Sequence, residues 1–252
     1  MHPVLIEFGH NALYSYGFFI SAAFILGMAW TMHEAALKGL DNRLVLGLGF
    51  YVLLGGMLGV RLTYVAINSH AFVDNPLDVI TLWNGGMVFM GGALVAALFM
   101  FLFLLTKKQN ILQWFDAAAP GVALGIFLGW LGCLAAGCGY GKPSDLPWSI
   151  TFTHPHAIGP LFVSMHPTQV YQALAALVCF IILVLLRDRF SKHGQLAGLF
   201  IIIYSPARVM IDFFRGDIEA ALFFLSVNQA LGLAVAAAGL FLFIQPCRSA
   251  ND

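Results

Sequence analysis

Long apolar runs recur along this chain, separated by short segments that carry most of its charged residues. A helix needs about 20 mainly apolar residues to cross a bilayer. By that requirement the pattern predicts seven membrane-spanning helices. Their predicted bounds are residues 12–32, 44–67, 86–105, 115–138, 168–187, 196–214 and 222–244. The predicted fold class is therefore an all-α polytopic membrane protein, with residues 1–252 forming a single integral domain.

Composition supports this class, because 60% of the residues are hydrophobic and only 10% are charged. Such a chain has too few polar residues to cover the surface of a water-soluble domain. Its formal net charge of zero argues against a nucleic-acid partner. Residues 1–11 contain no Lys or Arg to start a cleavable signal, so we expect the first apolar run to remain as a helix.

Basic residues predict the orientation, because Lys and Arg are retained on the cytoplasmic side of a membrane. One side of the predicted spans collects Lys38, Arg43, Lys107, Lys108, Arg187, Arg189, Lys192 and Arg248. Only Lys142 and Arg215 fall on the other side. The N-terminus is therefore predicted outside and the C-terminus in the cytoplasm.

Arg61 and Arg208 lie inside apolar runs, where an ionisable residue is costly and marks a functional site by default. Each lies about two turns from the outer end of its predicted helix. Tyr204, Arg208 and Asp212 are spaced i, i+4 and i+8, so they share one helix face. Pro206 predicts a kink beside them. As an alternative, Arg61 pairs with Asp212 in a buried structural ion pair.

Glycines collect at the same predicted outer level and let a helix or a ligand approach closely. The third apolar run begins with Gly85, Gly86, Gly91 and Gly92. Gly121, Gly125 and Gly129 recur every four residues, which predicts a helix-packing seam. The connection 139–167 exceeds the roughly 15 residues beyond which loops are usually functional or disordered. Its aromatic content predicts an ordered external flap.

Several of these residues have a structural interpretation beside the functional one. His166 could simply cap the fifth helix through a ring nitrogen. Tyr14 and Tyr16 could be anchors in the aromatic belt of the membrane interface, an interpretation favoured for Tyr14. Cys133 and Cys138 match no zinc spacing, and we favour buried small apolar residues there over a disulfide.

Two guanidinium groups, several phenols and a glycine-lined opening toward the outer leaflet together predict a site for an anionic lipid headgroup. Arg suits this role, because its planar guanidinium binds phosphate through two parallel hydrogen bonds. No metal or cofactor is predicted.

The order of motifs resembles that of the prolipoprotein diacylglyceryl transferase family, from about Tyr16 to Gln229. The resemblance rests on Tyr16-Gly17, Gly59-Val-Arg61-Leu-Thr-Tyr64, Trp83-Asn-Gly-Gly86-Met-Val-Phe-Met-Gly-Gly92, Gly132 to Lys142 with Pro147-Trp148, His166-Pro-Thr-Gln-Val-Tyr171, and Tyr204-Ser-Pro-Ala-Arg208-Val-Met-Ile-Asp212-Phe-Phe-Arg215. Individually these motifs are weak, and jointly they are specific.

The resemblance implies an enzyme of the bacterial inner membrane with its site facing the periplasmic leaflet. It would move the diacylglyceryl group of phosphatidylglycerol onto the lipobox cysteine thiol in the signal peptide of a preprolipoprotein, releasing glycerol phosphate. The expected catalytic residues are Arg208, Tyr204 and His166. The expected substrate-binding residues are Arg61, Tyr16, Gly86, Gly91, Gly92, Tyr171, Asp212 and Trp130.

The chain departs from the family pattern at two positions. Met90 stands where the family has a histidine thought to act in proton transfer, and Trp130 stands where it has an arginine. His166, Tyr204 and Tyr171 are the remaining candidates for the general base, with His166 favoured because histidine as a residue type ordinarily titrates near neutral pH. An alternative is a non-catalytic paralogue that binds phospholipid or lipoprotein without transfer. A transporter is disfavoured, because no inverted repeat is visible.

Overall fold

The computed structural model describes residues 2–8, 11–72, 78–79, 89–190, 192–218 and 227–244. The helices are α1 (Ser15–Leu37), α2 (Arg43–Ile67), α3 (Phe89–Thr106), α4 (Ile111–Ala136), α5 (Thr168–Leu186), α6 (Gln195–Asp212) and α7 (Val227–Ile244). The strands are β1 (Val4–Phe8), β2 (Asn11–Tyr14), β3 (Ile150–Thr151) and β4 (Ser164–Met165). The described residues are mostly helical, as predicted, and they add two antiparallel two-stranded ribbons that the sequence analysis did not predict.

Among the described residues, five helices are long and apolar enough to cross a membrane, namely α1, α2, α4, α5 with the turn that follows it, and α6. Two further apolar helices are shorter over the described side chains, at Gly91–Thr106 and Gly232–Ile244. Each of the seven apolar runs therefore contains a helix. That all seven helices cross the membrane, and in which direction, stays a prediction.

Two helix boundaries differ from the sequence-based prediction for identifiable reasons. The first helix begins at Ser15 rather than at residue 12, because residues 11–14 pair with β1 and the Ser15 N–H donates to the Pro3 carbonyl over 2.9 Å. The fourth helix ends at Ala136 rather than at residue 138. Gly137 has a φ of 85°, a left-handed conformation that stops the helix.

The chain divides into two compact units, Met1–Glu34 with Phe115–Asp252, and Ala35–Trp114. In the first unit α1 packs against α4 through glycine, as the four-residue spacing predicted. A Cβ at Gly27 would lie 2.9 Å from the Gly121 carbonyl oxygen, and a Cβ at Gly125 would lie 3.4 Å from the Ala23 carbonyl oxygen. The helix-packing seam is therefore confirmed.

Buried carboxylates tie the first unit together at the helix ends away from the polar cluster of α6. Asp116 on α4 accepts hydrogen bonds from the N–H groups of Gly194 and Ala197, over 2.6 and 2.8 Å. A carboxylate there also complements the positive end of the α6 dipole. Glu34 on α1 pairs with Arg187 over 2.8 Å. These contacts fix the start of α6 against α4, and the end of α5 against α1.

In the second unit α2 and α3 pack closely through facing glycines. A Cβ at Gly59 would lie 2.9 Å from the Gly92 Cα, and a Cβ at Gly55 would lie 2.9 Å from the Phe99 ring. Gly91 and Gly92 are buried in this contact. These glycines were expected to let either a helix or a ligand approach closely. In the structure, α2 and α3 approach each other there.

The connection 139–167 carries its own small core and strand pairing. Its strands β3 and β4 are antiparallel, and the hydroxyls of Ser149 and Ser164 share a hydrogen bond of 2.6 Å. Phe152 and Met165 are fully buried within it. The use of this connection as a flap, and the single integral domain over 1–252, stay predictions.

Candidate functional site in the first unit

Tyr204, Arg208 and Asp212 share one face of α6, as their spacing predicted. Tyr204 and Asp212 are buried, while the Arg208 side chain retains 18% exposure. The Arg208 Nε lies 4.0 Å from the Asp212 Oδ2, which is an ion pair but exceeds hydrogen-bonding distance. The helix therefore presents a phenol, a guanidinium and a carboxylate in a row.

A fully buried glutamine on α5 links the ends of this row. The Tyr204 hydroxyl donates to the Gln172 Oε1 over 3.4 Å, and the Gln172 Nε2 donates to the Asp212 Oδ1 over 3.5 Å. Both bonds are long, so each contributes modestly. Their main effect is to position the side chains. The buried Gln172 amide bonds both Tyr204 and Asp212, and so it holds α5 and α6 in one register.

Arg215, just beyond α6, adds a second guanidinium to the cluster. It donates to both carboxylate oxygens of Asp217 over 2.9 and 2.8 Å, and its Nη1 lies 3.5 Å from the Asp212 Oδ1. Burial alone would lower the pKa of Arg215, but hydrogen bonding and charge from Asp217 and Asp212 raise it above its ordinary value. The side chain therefore stays protonated.

Trp130 from α4 lies between the two guanidinium groups. Its ring centroid is 6.0 Å from the Arg208 Cζ and 5.6 Å from the Arg215 Cζ, both within cation–π range. Its indole N–H donates to the Tyr204 hydroxyl over 3.4 Å. Trp130 supplies no charge, but it contacts the polar side chains of Tyr204, Arg208 and Arg215 and so helps to position them.

Arg208 has a donor atom that no described residue accepts from. Its Nε is buried and has no hydrogen-bond partner among the described residues, and the same holds for the Asp212 Oδ2 opposite. An unsatisfied buried donor costs free energy unless a ligand or water completes it. The Arg208 Nε can therefore donate to an oxyanion, whereas the Asp212 Oδ2, which only accepts, needs a donor.

His166 lies in a neighbouring aromatic cluster. Its ring packs against Phe214 and Tyr171 with centroids 5.2 and 6.4 Å apart, and the Tyr171 hydroxyl accepts a bond of 2.8 Å from the Trp148 N–H. The Nδ1 is buried without a partner in the described part of the chain. Its backbone carbonyl, not its ring, accepts from the Thr168 N–H over 2.8 Å. The interpretation of the ring as a helix cap is therefore wrong.

The segment from Gly139 to Lys142 joins this aromatic cluster to the α6 cluster. Lys142 donates its N–H to the Phe214 carbonyl over 2.8 Å, and its own carbonyl accepts from the His166 N–H over 3.0 Å. Gly139 packs on Trp130, since a Cβ there would lie 2.7 Å from the indole ring.

Tyr16, 42% exposed near the start of α1, packs on Gly132 of α4.

Arg61 belongs to the second unit and has partners of another kind. Its Nε donates to the Val79 carbonyl over 2.9 Å, and its Nη2 donates to the Asp78 carbonyl. The Tyr64 and Phe72 rings lie 5.7 and 5.5 Å from its Cζ. The predicted sharing of one site by Arg61 and Arg208 stays a prediction. Gly86 and the Met90 side chain lie outside the described residues.

Gln172, Arg215 and Asp217 were missed as site residues. A usable signal was present for Gln172, because Thr168, Gln169 and Gln172 form a polar stripe at the start of an apolar run. Asp217 offered none, because its bidentate contact depends on how the chain turns after α6. The described residues include no group of three or more His, Cys, Asp or Glu side chains that could hold a metal ion.

Comparison with known proteins agrees over nearly the whole chain. Residues 3–245 match the family model described as prolipoprotein diacylglyceryl transferase. A phosphatidylglycerol–prolipoprotein diacylglyceryl transferase of Clostridium tetani is 30% identical, covering 96% of this chain and 97% of its own. Proteins of the same name from Pseudoalteromonas translucida and Rhodospirillum rubrum are 33% and 34% identical, over 99% and 96% of this chain and 94% and 91% of their own.

The family model and these relatives span the α4, α5 and α6 residues that build the site, so the resemblance noted from the motifs is confirmed. This chain belongs to the prolipoprotein diacylglyceryl transferase family.

Proposed function

We propose that this protein transfers the diacylglyceryl group of phosphatidylglycerol to the cysteine thiol of a prolipoprotein, as the names of its relatives state for them. The observation that carries the proposal is the guanidinium of Arg208. It lies on an apolar helix, its Nε has no hydrogen-bond partner among the described residues, and a carboxylate faces it at 4.0 Å. This arrangement suits recognition of a phosphate at membrane depth.

The reaction requires a thiolate nucleophile and a stabilised leaving group. The acceptor sulfur attacks the glycerol carbon that carries the phosphate ester, a carbon–sulfur bond forms, and the carbon–oxygen bond breaks. The electron pair leaves with the oxygen of glycerol phosphate, and the thiol proton passes to a base. Arg208 stabilises the charge that develops on the phosphate in a site of low dielectric.

His166 is the base we propose, with Tyr204 and Tyr171 as the alternatives. The buried Nδ1 of His166 has no partner in the described part of the chain, so a neutral ring can accept a proton there. Tyr171 is engaged with the Trp148 N–H, and Tyr204 is engaged with Gln172 and Trp130. These contacts favour His166.

We place the protein in the bacterial inner membrane with seven crossings, its N-terminus outside and its site at the periplasmic leaflet. The excess of Lys and Arg at one set of helix ends supports this orientation. The acceptor is then the lipobox cysteine in the signal peptide of a preprolipoprotein, which reaches the site from the same leaflet. The connection 139–167 would act there as a flap, through the contact of Trp148 with Tyr171.

The binding-only alternative arose from Met90 and Trp130. Trp130 is built into the site by its contacts with Tyr204, Arg208 and Arg215. No contact among the described residues and no relative reported above favours binding without transfer. We therefore carry the transferase forward as the proposed activity.

The test is reconstitution in vesicles of phosphatidylglycerol with a lipobox peptide, followed by mass spectrometry of the peptide. We expect a thioether-linked diacylglyceryl adduct with the unmodified chain and its loss in Arg208→Ala. The matched control is Arg189→Ala, which removes an exposed guanidinium at the opposite end of the neighbouring helix. Absence of the adduct, where a Clostridium tetani relative forms it, would reject the proposal.

A further inference from the structure

The connection 139–167 carries an apolar tip, which consists of Ile158, Phe162 and Val163. Ile158 and Phe162 are 69% and 75% exposed, and Val163 is exposed as well. Other apolar residues of the same connection behave differently, since Phe152 and Met165 are fully buried. The connection therefore has a core of its own that leaves the apolar tip outside. Exposed apolar residues concentrated in one segment indicate contact with lipid or with another protein.

Phe162 holds its ring outward at a cost in backbone strain. Its φ is 59°, a left-handed conformation that a bulky side chain rarely adopts because the Cβ crowds the backbone. The conformation is held by its N–H, which donates to the Phe152 carbonyl over 2.8 Å. A ring that is mostly exposed gains little from packing within the protein, so packing does not offset the strain. Strain that is kept without such a gain points to a function.

Main-chain contacts fix the depth of the apolar tip at the end of α4. The Ile158 N–H donates over 3.0 Å to the carbonyl of Ala136, the last residue of that helix. Gly159 packs on the turn that follows, since a Cβ there would lie 2.9 Å from the Gly137 carbonyl oxygen. The helix itself is long and apolar enough to cross a membrane. The backbone of the tip therefore lies at the level where α4 leaves the bilayer.

The apolar surface of the helices continues to this same end of the first unit. Phe213 and Phe214 follow α6 directly, and both are exposed. The Phe214 carbonyl accepts from the Lys142 N–H over 2.8 Å, which joins the end of α6 to the start of the connection. Exposed apolar side chains are therefore present both where the helices end and on the segment that covers those ends.

We propose that Ile158 and Phe162 insert into the bilayer, in the leaflet that the C-terminal end of α4 reaches. A side chain that lines a protein-binding groove is largely covered by the walls of that groove, whereas these two are exposed over most of their surface. Fluid acyl chains can surround such side chains without a complementary shape. Residues 157–163 contain no charged side chain that would oppose insertion. Burial of the ring in lipid offsets the strain at Phe162.

This contact goes beyond the proposed transfer and does not depend on it. It requires neither phosphatidylglycerol nor an acceptor, and it uses none of Arg208, Tyr204 and His166. Its effect is to anchor the connection 139–167 to the bilayer beside the end of α4. In the orientation proposed above, the leaflet concerned is the periplasmic one.

The direct test is photo-crosslinking of the full-length chain in vesicles of phosphatidylcholine. The photoreactive residue p-benzoylphenylalanine takes the place of Phe162 or, in a second variant, of Ile158. We expect each variant to gain the mass of one phosphatidylcholine on irradiation. Because the vesicles contain no phosphatidylglycerol, such an adduct cannot come from a donor lipid held in the transfer site.

Two matched positions control the crosslinking. Leu185 is exposed on the apolar helix α5, so the same residue placed there should form the lipid adduct. Asp145 is an exposed, charged residue of the same connection, and that position should form none. Lipid adducts at Leu185 but not at Phe162 and Ile158 would overturn the proposal. Equal adducts at Asp145 and Phe162 would contradict insertion specific to the apolar tip.

The same experiment identifies a protein occupant of the tip. A crosslinked dimer would show that a second copy of the chain covers it. With a lipobox peptide added to the vesicles, an adduct of Phe162 with that peptide in place of lipid would show that the tip binds the acceptor. Either result would overturn insertion into the bilayer.

Thermal stability separates lipid contact from packing within the protein. Phe162→Gly removes the ring and relieves the strain, because glycine adopts a positive φ freely. We expect its Tm in detergent micelles to change little, since the ring packs little within the protein. Phe152→Ala, which empties a fully buried position of the same connection, should lower the Tm clearly. An equal fall in Phe162→Gly would show that the ring packs within the protein and would contradict the proposal.

Discussion

Arg61 and Arg208 both lie within apolar helices, but they have different partners. In the second unit, Arg61 donates from its Nε and Nη2 to main-chain carbonyls of residues 78–79, and its Cζ lies near two aromatic rings. In the first unit, Arg208 faces a carboxylate at 4.0 Å, and its Nε has no partner among the described residues. One guanidinium holds a turn of chain in place, and the other has donor capacity for a ligand.

The same residue type at a similar predicted depth can therefore serve fold or chemistry, depending on its acceptors. Main-chain carbonyls of a packed segment cannot be exchanged for a phosphate without unfolding that segment. The Arg208 Nε has no acceptor among the described residues, so it can donate to a phosphate without giving up an existing hydrogen bond. This contrast makes Arg208 the first residue to change.

We expect Arg208→Lys to produce the largest loss of transfer, about 10²- to 10³-fold, because removing one preorganised donor to a developing oxyanion costs about this much. Stability should change little, since the ammonium can still pair with Asp212. Initial rates of adduct formation and a thermal melt measure the two quantities. A variant that retains near-normal rates would remove Arg208 from the chemistry.

Arg61→Lys should lower the stability of the protein more than it lowers the transfer rate of each folded molecule. An ammonium cannot reproduce the paired donation to the Asp78 and Val79 carbonyls, and leaving such groups unsatisfied costs about 1 to 3 kcal/mol. We expect a lower Tm and less than a 10-fold loss of rate per folded molecule. The opposite result, full stability with a loss above about 100-fold, would place Arg61 at the phosphate beside Arg208.

Gln172→Leu should reduce the rate about 10-fold, corresponding to roughly 1.4 kcal/mol for the two long hydrogen bonds to Tyr204 and Asp212. The loss should fall on kcat rather than on KM, because Gln172 positions side chains and is fully buried. Leu174→Ala, on an exposed face of the same helix, is the control. An equal loss of rate in Leu174→Ala would mean that any substitution on α5 lowers the rate, and it would contradict a specific role for Gln172.

Trp148→Phe should have the smallest effect, less than about 3-fold, because it removes one exposed hydrogen bond to the Tyr171 hydroxyl. The indole is 58% exposed, so little packing is lost. The readout is KM for the lipobox peptide, where a flap would act. A loss as large as that of Arg208→Lys would move the acceptor site to the connection 139–167.

Much of the architecture could be predicted because membrane spans obey local rules. Length and apolarity located an apolar helix within each predicted run, and four-residue glycine spacing located the seam between α1 and α4. The hairpin before Ser15 was missed, because a two-stranded ribbon of apolar residues has the same hydropathy as the start of a span. Pairing between strands, not hydropathy, sets that boundary.

Within the site, helical periodicity alone aligned Tyr204, Arg208 and Asp212, because residues four apart on one helix must share a face. Contacts between helices were beyond the reach of periodicity. Trp130 lies 74 residues before Tyr204, and the acceptors of Arg61 come from a turn 17 and 18 residues further along. Such partners depend on how helices cross and chains turn, which packing of the whole unit sets.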